Sequence, residues 1–283
     1  MFERPMGWRR QIATQASLAL AGLFVLLPIA WMLRLAFDGA VASRPGDARL
    51  LPAKPTLDFF AQAWAAPTSN YSFAHLLGNS LLVAGSTALV ALIFGASAAY
   101  AFARYRFTGQ RAGLLATLVM LMLPPAGFTA PYFIFLLSLG LRGSLLGLIG
   151  AYCAIALPFA IWTVRNAVQS IPTEQDEAAM LEGASRLRIF AQVIVPQITP
   201  ALAVALFIAF LLAWSEFALG WGLISDPERV TLAMGLYTMR GTSSIAWGLL
   251  SATALMVALP VLVLFYLLGR YLLSGLTLGT AGE

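Results

Sequence analysis

Residues 172–200, PTEQDEAAMLEGASRLRIFAQVIVPQITP, hold four carboxylates (Glu174, Asp176, Glu177, Glu182) and two guanidinium groups (Arg186, Arg188) in a chain with few charges elsewhere. Carboxylates can move protons, hold cations or pair with basic groups. Metal binding needs companions, and the chain has one histidine, His75, and one cysteine, Cys153, both distant in sequence. That excludes a metal cluster and an intrachain disulfide. No nucleophile–base set is visible, so covalent chemistry has no foothold. What remains is recognition by ion pairing.

Local signals in the stretch favour two short helices. Thr173 is placed to cap the first, with Asp176 three residues on as a near capping box and Pro172 just before it. Glu174, Asp176 and Glu177 fall in its first turn, where they suit the helix dipole. Gly183 is the expected C′ residue. A second helix is predicted from Ser185 to about Gln192, ended by Pro196, with Thr199–Pro200 opening the next element. The spacing is Glu177-Ala178-Ala179, three residues, Gly183, nine residues, then Val193-x-Val195-Pro196. Small alanines allow close approach, and the glycine turns the pair into a knob.

Other chemistry-bearing residues are scattered. Glu216, in AWSEF with Trp214 and Ser215, lies roughly 24 Å along a helix from Pro200 at about 1.5 Å per residue. Two roles suit it: a polar contact at a pathway or outer gate, and a helix-end carboxylate reaching interfacial water. Trp214, Trp221, Trp247 and Tyr237 read as an aromatic belt more readily than as a sugar-stacking platform. His75 reads as an interfacial residue at a helix entrance rather than a proton relay. The only lysine, Lys54, precedes Pro55, so a phosphate-binding loop of the G-x-x-x-x-G-K-[ST] type is absent. This chain does not hydrolyse ATP by that route.

The elements that must position these residues are membrane helices. Of 283 residues, 60% are apolar and 10% charged, against roughly 25% charged in soluble domains. The net charge of +5 accompanies no basic run or face, which argues against nucleic acid. Charge-free stretches predict an all-α polytopic protein with six transmembrane helices near 14–37, 76–104, 112–139, 144–167, 198–224 and 246–272. The first is read as a retained helix, not a cleaved signal peptide. Arg4, Arg9, Arg10, Arg104, Arg106, Arg111, Arg165, Arg186, Arg188 and Arg270 fall on one side. Arg44, Arg49, Lys54, Arg142, Arg229 and Arg240 fall on the other. The positive-inside rule then puts both termini and the polar loop in the cytoplasm.

This layout divides the chain into a cytoplasmic N-terminus (1–13), a first span (14–37), an extracytoplasmic loop (38–75), a core (76–275) containing the loop at 172–197, and a cytoplasmic tail (276–283). Within the outer loop, Thr56 to Trp64 suits a short amphipathic helix on the membrane face. Gly78, Gly85, Ser86, Gly95, Ala96 and Ala99 are expected to let helices approach closely. Pro124, Pro125, Pro131, Pro158 and Pro260 are expected to kink spans that open and close.

The spacing of Glu177, Ala178, Ala179, Gly183, Val193, Val195 and Pro196, before the penultimate span, resembles the EAA loop of membrane-spanning subunits of ATP-binding-cassette importers. PTLDFF, GNSLLVA, ARYRFTGQR, LPFAIWTVRNAVQSIP, TLAMGLYTM and RYLLSGLTLGTAG look like the carbohydrate-uptake permeases of the maltose type. Glu182 stands where that family usually has Asp, and Ser215 departs from its usual Trp-Asn pattern, which weakens any transfer of substrate contacts. The resemblance implies a cytoplasmic coupling-helix loop that inserts into a separate ATPase. It also implies a second, homologous permease subunit (MalF-like), two ATP-binding-cassette subunits, an extracytoplasmic sugar-binding protein and a bacterial or archaeal cell membrane. ATP and Mg would bind the ATPases, with no cofactor on this chain. The rival is a self-sufficient secondary transporter, which calls for intramembrane carboxylates and an internal repeat. Glycerol-3-phosphate is an alternative cargo to sugar.

Overall fold

A charge-poor chain in hydrocarbon must satisfy its backbone internally, and helices do so within one segment. The computed structural model describes residues 7–40, 49–67, 71–239 and 246–278. Arg4, Arg44, Arg240 and the tail beyond Leu278 lie outside them. The described helices are α1 (Trp8–Phe37), α2 (Asp58–Ala65), α3 (Phe73–Arg104), α4 (Gln110–Met122), α5 (Thr129–Ser138), α6 (Leu145–Gln169) and α7 (Glu174–Leu181). They continue as α8 (Arg186–Gln197), α9 (Thr199–Ser215), α10 (Ala218–Leu223), α11 (Leu232–Thr238) and α12 (Trp247–Leu278). No strand occurs among the described residues, only an isolated bridge between Asp38 and Pro55. Four helices are unbroken spans by length and composition, and the total is up to six if each of two bent pairs, Gln110–Met122 with Pro125–Ser138 and α8 with α9, is one span.

Two of the six expected stretches are not single helices. The stretch expected at 112–139 breaks after Met122, and its two parts meet at 107°. Pro124 and Pro125 are the cause, since neither offers an N–H to continue the ladder. The stretch expected at 198–224 stops at Ser215 and resumes at Ala218. Pro158 and Pro260, in contrast, sit inside continuous helices.

The chain divides into two compact units, Met1–Ser72 with Thr238–Met256, and Phe73–Tyr237 with Val257–Glu283. In the first, α1 begins at Trp8, six residues ahead of the expectation, and exposes Leu18, Leu23 and Phe24 as a lipid-facing helix must. It ends at Phe37, and the next residue, Asp38, has a buried carboxylate that accepts hydrogen bonds from the Lys54 and Ala40 amides at 3.0 and 3.1 Å. Arg34 lies 3.5 Å away, one turn back. The outer-loop helix starts at Asp58, not Thr56, whose hydroxyl instead accepts from the Asp58 amide. Phe60 packs on Phe37 with ring centroids 4.8 Å apart, and Gly248 lets the Phe59 ring lie against its backbone.

The amide donors to Asp38, strongest from Ala53 and Lys54, hold its carboxyl at about 2, below the ordinary 3.8. A depressed carboxyl stabilises the native form above the unfolded value and loses that contribution as pH falls. The window runs from 3.8 down to about 2. Protection of the Lys54 amide against hydrogen exchange, referenced to a free peptide at each pH, is expected to collapse across that window. Unchanged protection at the acid end would show that Asp38 does not anchor the loop.

In the second unit α3, α6 and α9 pack on one another. Their shared core joins Ala96, Ala99 and Tyr100 to Ala160, Val164 and Val168, and closes with Ile189, Ile194 and Ile198. A Cβ at Gly95 would stand 2.8 Å from the Ala160 Cβ, so this glycine allows the α3–α6 approach as expected. Gly78 and Gly85 have open space around them and play no such part. Thr117 accepts the Trp162 indole N–H at 2.9 Å and ties α4 to α6. An apolar groove of about 510 Å³, lined by Leu81, Gly85, Leu206, Phe210 and Leu259, runs between α3, α9 and α12.

Candidate functional site

At one end of this unit the chain forms a knob of two arms, α7 and α8. Thr173 does not cap α7 through its side chain, contrary to the sequence expectation, because its own backbone is already helical. The α7 terminus follows the expectation closely. Gly183 has φ +84, its amide reaches the Met180 carbonyl and the Ala184 amide reaches the Ala179 carbonyl, each at 3.0 Å. Those two bonds are the Schellman pair that satisfies the last carbonyls of a helix. Ser185 then caps the second arm by accepting from the Arg188 amide at 3.4 Å.

The second arm runs to Gln197, five residues beyond the expected end. Between Ile189 and Ile194 it widens into a π-helical turn just ahead of Pro196. Pro196 has no N–H to give, so an α ladder would have a gap there, and the wide register precedes it. An 83° bend separates α8 from α9. The arms are also joined directly, because the Gln197 amide donates to the Gln175 side chain at 2.8 Å.

The motif residues sort into two faces. Glu177, Ala178, Gly183 and Pro196 are exposed. Ala179 and Val193 pack inward against the core cluster, and Val195 is half-buried. Both alanines were read as an outer contact surface, but only Ala178 is exposed. The outer face also shows Leu181 at 91% and Leu187 at 76% exposure, together with Met180.

Asp176 lies in the first turn of α7, as expected, and it has a further role there. It is buried and forms an ion pair with Arg104 of α3, Oδ2 to Nε at 2.9 Å. The Arg104 Nη2 also donates to Asp176 Oδ1 at 3.4 Å and to the Ile171 carbonyl at 3.0 Å. Arg186 lies over the Tyr105 ring at 4.8 Å, and Tyr100 packs on Phe190 at 4.9 Å. A cavity of about 270 Å³ lies beside these groups.

The opposite end carries Glu216. It stands partly exposed at the end of α9, and its carboxylate accepts from the Tyr152 hydroxyl at 2.7 Å and from the Leu219 and Gly220 amides at 2.8 and 3.2 Å. It therefore caps α10 and pins the break in the fifth span. Trp214 is buried and stacks on Phe210 at 5.2 Å, so it is no part of an aromatic belt. Ser215 is exposed and donates back to the Leu211 carbonyl at 2.7 Å. Tyr237 contacts Phe217 and Trp221 at 4.9 and 5.9 Å in a half-open cluster. His75 stands at the entrance of α3, as expected. Its Nε2 lies 2.6 Å from the Glu228 carbonyl and must donate there, since a carbonyl only accepts. Asn79 donates to the Glu228 and Val230 carbonyls, and Arg229 to the Gly143 carbonyl at 2.7 Å. Two ends thus emerge, one holding Arg104 and Arg186 and the other Arg229.

Bent and unbroken apolar helices around a core of small residues, with a hinged polar knob at one end, define a helical membrane permease. The chain belongs to the binding-protein-dependent transport system inner membrane component family, whose profile matches residues 60–276. It is 30% identical to the trehalose transport system permease protein SugB of Mycobacterium tuberculosis over 90% of this chain and 92% of that protein. It is also 30% identical to the maltose/maltodextrin transport system permease protein MalG of Vibrio parahaemolyticus, over 96% and 94% respectively. Among solved structures, a chain of a bacterial transporter that imports the acidic polysaccharide alginate aligns with a TM-score of 0.79 at 21% identity. That alignment covers 95% of this chain and 100% of the other, and it supports the fold.

Proposed function

We propose that this chain is the permease subunit of an ATP-driven sugar importer, forming half of the translocation pathway beside a second, homologous permease. Two separate ATPase subunits dock at the α7–α8 knob, which faces the cytoplasm together with both termini. A soluble extracytoplasmic binding protein delivers sugar of the maltose, maltodextrin or trehalose type to the other end. The observation that carries this reading is the hinged knob, with Glu177, Ala178 and Leu181 presented outward at the arginine-rich end. The family and the sugar-permease names of the relatives above support the substrate class.

Docking is mechanical. Closure of two ATPases moves rigid knobs, and a hinged knob tied to the span ends converts that motion into reopening of the helices. Glu177 supplies a carboxylate for a basic partner residue, while the apolar tip fills a cleft. ATP and Mg belong to the ATPases. A self-sufficient secondary transporter would need an uncommitted intramembrane carboxylate, and Glu216 is committed to Tyr152 and the α10 cap.

Purification with the two ATPase subunits and the partner permease, followed by ATP-dependent sugar uptake into liposomes, tests the reading. Uptake by this chain alone under an ion gradient would defeat it. Within that assay Glu177→Lys is expected to weaken ATPase retention by about tenfold, a loss typical of one interfacial charge contact. Gly183→Pro is expected to abolish retention, since it removes the amide bonded to Met180 and forbids φ +84. Normal retention by both variants would discredit the docking role.

A further inference from the structure

Resting on that functional reading, we infer that residues 100–105 at the end of α3 are the point where motion of the knob enters the membrane bundle. The Arg104–Asp176 pair is the latch that transmits it. The knob is covalently continuous with α6 and α9 and packs Ile189 and Ile194 on α3 and α6 alike, yet its ion-pair and aromatic attachments to the bundle converge on the end of α3. The first arm is held by Asp176 on Arg104, in a two-point contact of 2.9 and 3.4 Å. The second arm is held by Phe190 on Tyr100 and by Arg186 over Tyr105. Arg104 also donates to the Ile171 carbonyl, so one guanidinium spans α3, the end of the α6 segment and the knob.

The receiving strip is itself stiffened. Gln110 donates to the Phe102 and Tyr105 carbonyls at 2.9 and 3.0 Å, and Tyr105 sits edge-on to Tyr100 at 5.8 Å. The ion pair is nearly shut off from solvent, with 7% and 8% side-chain exposure. A flexible surface pair would let the knob rock without dragging the bundle. A desolvated fork does not, because separating it strands both charges. Beyond the strip, α3 runs as one helix for its whole length and packs on both α6 and α9, so a push at its end reaches the core. Arg104 and Asp176 are therefore positioning residues that set how much transport each ATP yields, and Glu177 grips the ATPase.

The test uses the complete reconstituted importer and reads sugar taken up per ATP hydrolysed. Asp176→Asn is expected to keep its ATPase subunits and to hydrolyse ATP within about twofold of the unmodified complex while uptake per ATP falls at least about tenfold, the range of ordinary coupling energies. The exchanged pair R104D/D176R is expected to recover a substantial share of the lost ratio. Arg104→Lys keeps the charge and loses the fork, and is expected to give an intermediate ratio with an unchanged melting temperature in detergent. A normal ratio in Asp176→Asn or in Arg104→Lys overturns the latch. Loss of ATPase subunits from Asp176→Asn overturns it too, since the pair would then merely shape the docking face. An unmodified complex without ATPase or uptake defeats the functional reading itself, whereas a working complex with an unmoved ratio defeats only the latch.

Discussion

Asp176→Ala is expected to destabilise the purified chain by about 3–5 kcal/mol, the cost of leaving a buried guanidinium without its counter-charge. Arg104 remains buried in that variant and keeps its hydrogen bond to the Ile171 carbonyl. The double variant Arg104→Met/Asp176→Leu is expected to cost far less than the two single changes together. Removing both charges removes both desolvation penalties, and apolar side chains can join the neighbouring Ile171 and Ile189. Denaturant melts in detergent, run as a double-mutant cycle, measure the difference. Costs that add to within about 0.5 kcal/mol would mean that the two groups do not interact.

Glu216→Ala carries the second large effect. It deprives the Leu219 and Gly220 amides of the carboxylate and leaves the Tyr152 hydroxyl only the Glu216 backbone carbonyl, at 3.3 Å. A lost helix cap costs about 0.5–2 kcal/mol, and the hydroxyl keeps a longer acceptor, so a fall of about 1–2 kcal/mol is expected. Glu216→Gln keeps one carbonyl oxygen for the α10 amides and is expected to cost much less. Melting of the two variants, with exchange of the Leu219 amide as a local readout, checks the ranking. An Ala variant that melts normally and loses transport would instead assign Glu216 to the pathway.

The two residues show what a sequence can and cannot disclose here. The Glu177–Pro196 spacing and the C′ position of Gly183 were legible because helix termini are local: the glycine, its amide and its acceptors lie within a few residues. Asp176 does lie in the first turn of α7, but its ion pair was not legible because the partner is 72 residues away and, next to Glu174 and Glu177, it looks like one more helix-dipole acid. The break at Pro124–Pro125 carried its own signal, although its depth of 107° did not. The break at Glu216 contains neither proline nor glycine, so nothing local announced it. Trp214 lies in a helix apolar on every face, where no pattern separates lipid from core. The membrane class, six spans and the knob were readable, while the side-chain joinery between distant segments was not.

The turn at Gly183 has a consequence of its own. Around the place where a side chain would project there is nothing within 4 Å, so the site has room for almost any substituent. What it refuses is a handedness, because φ +84 is strained for an ordinary L residue and natural for its mirror image. Glycine is thus retained at this joint as the one genetically encoded residue without chirality, and a D-alanine placed there by chemical ligation would stiffen the joint without deforming it.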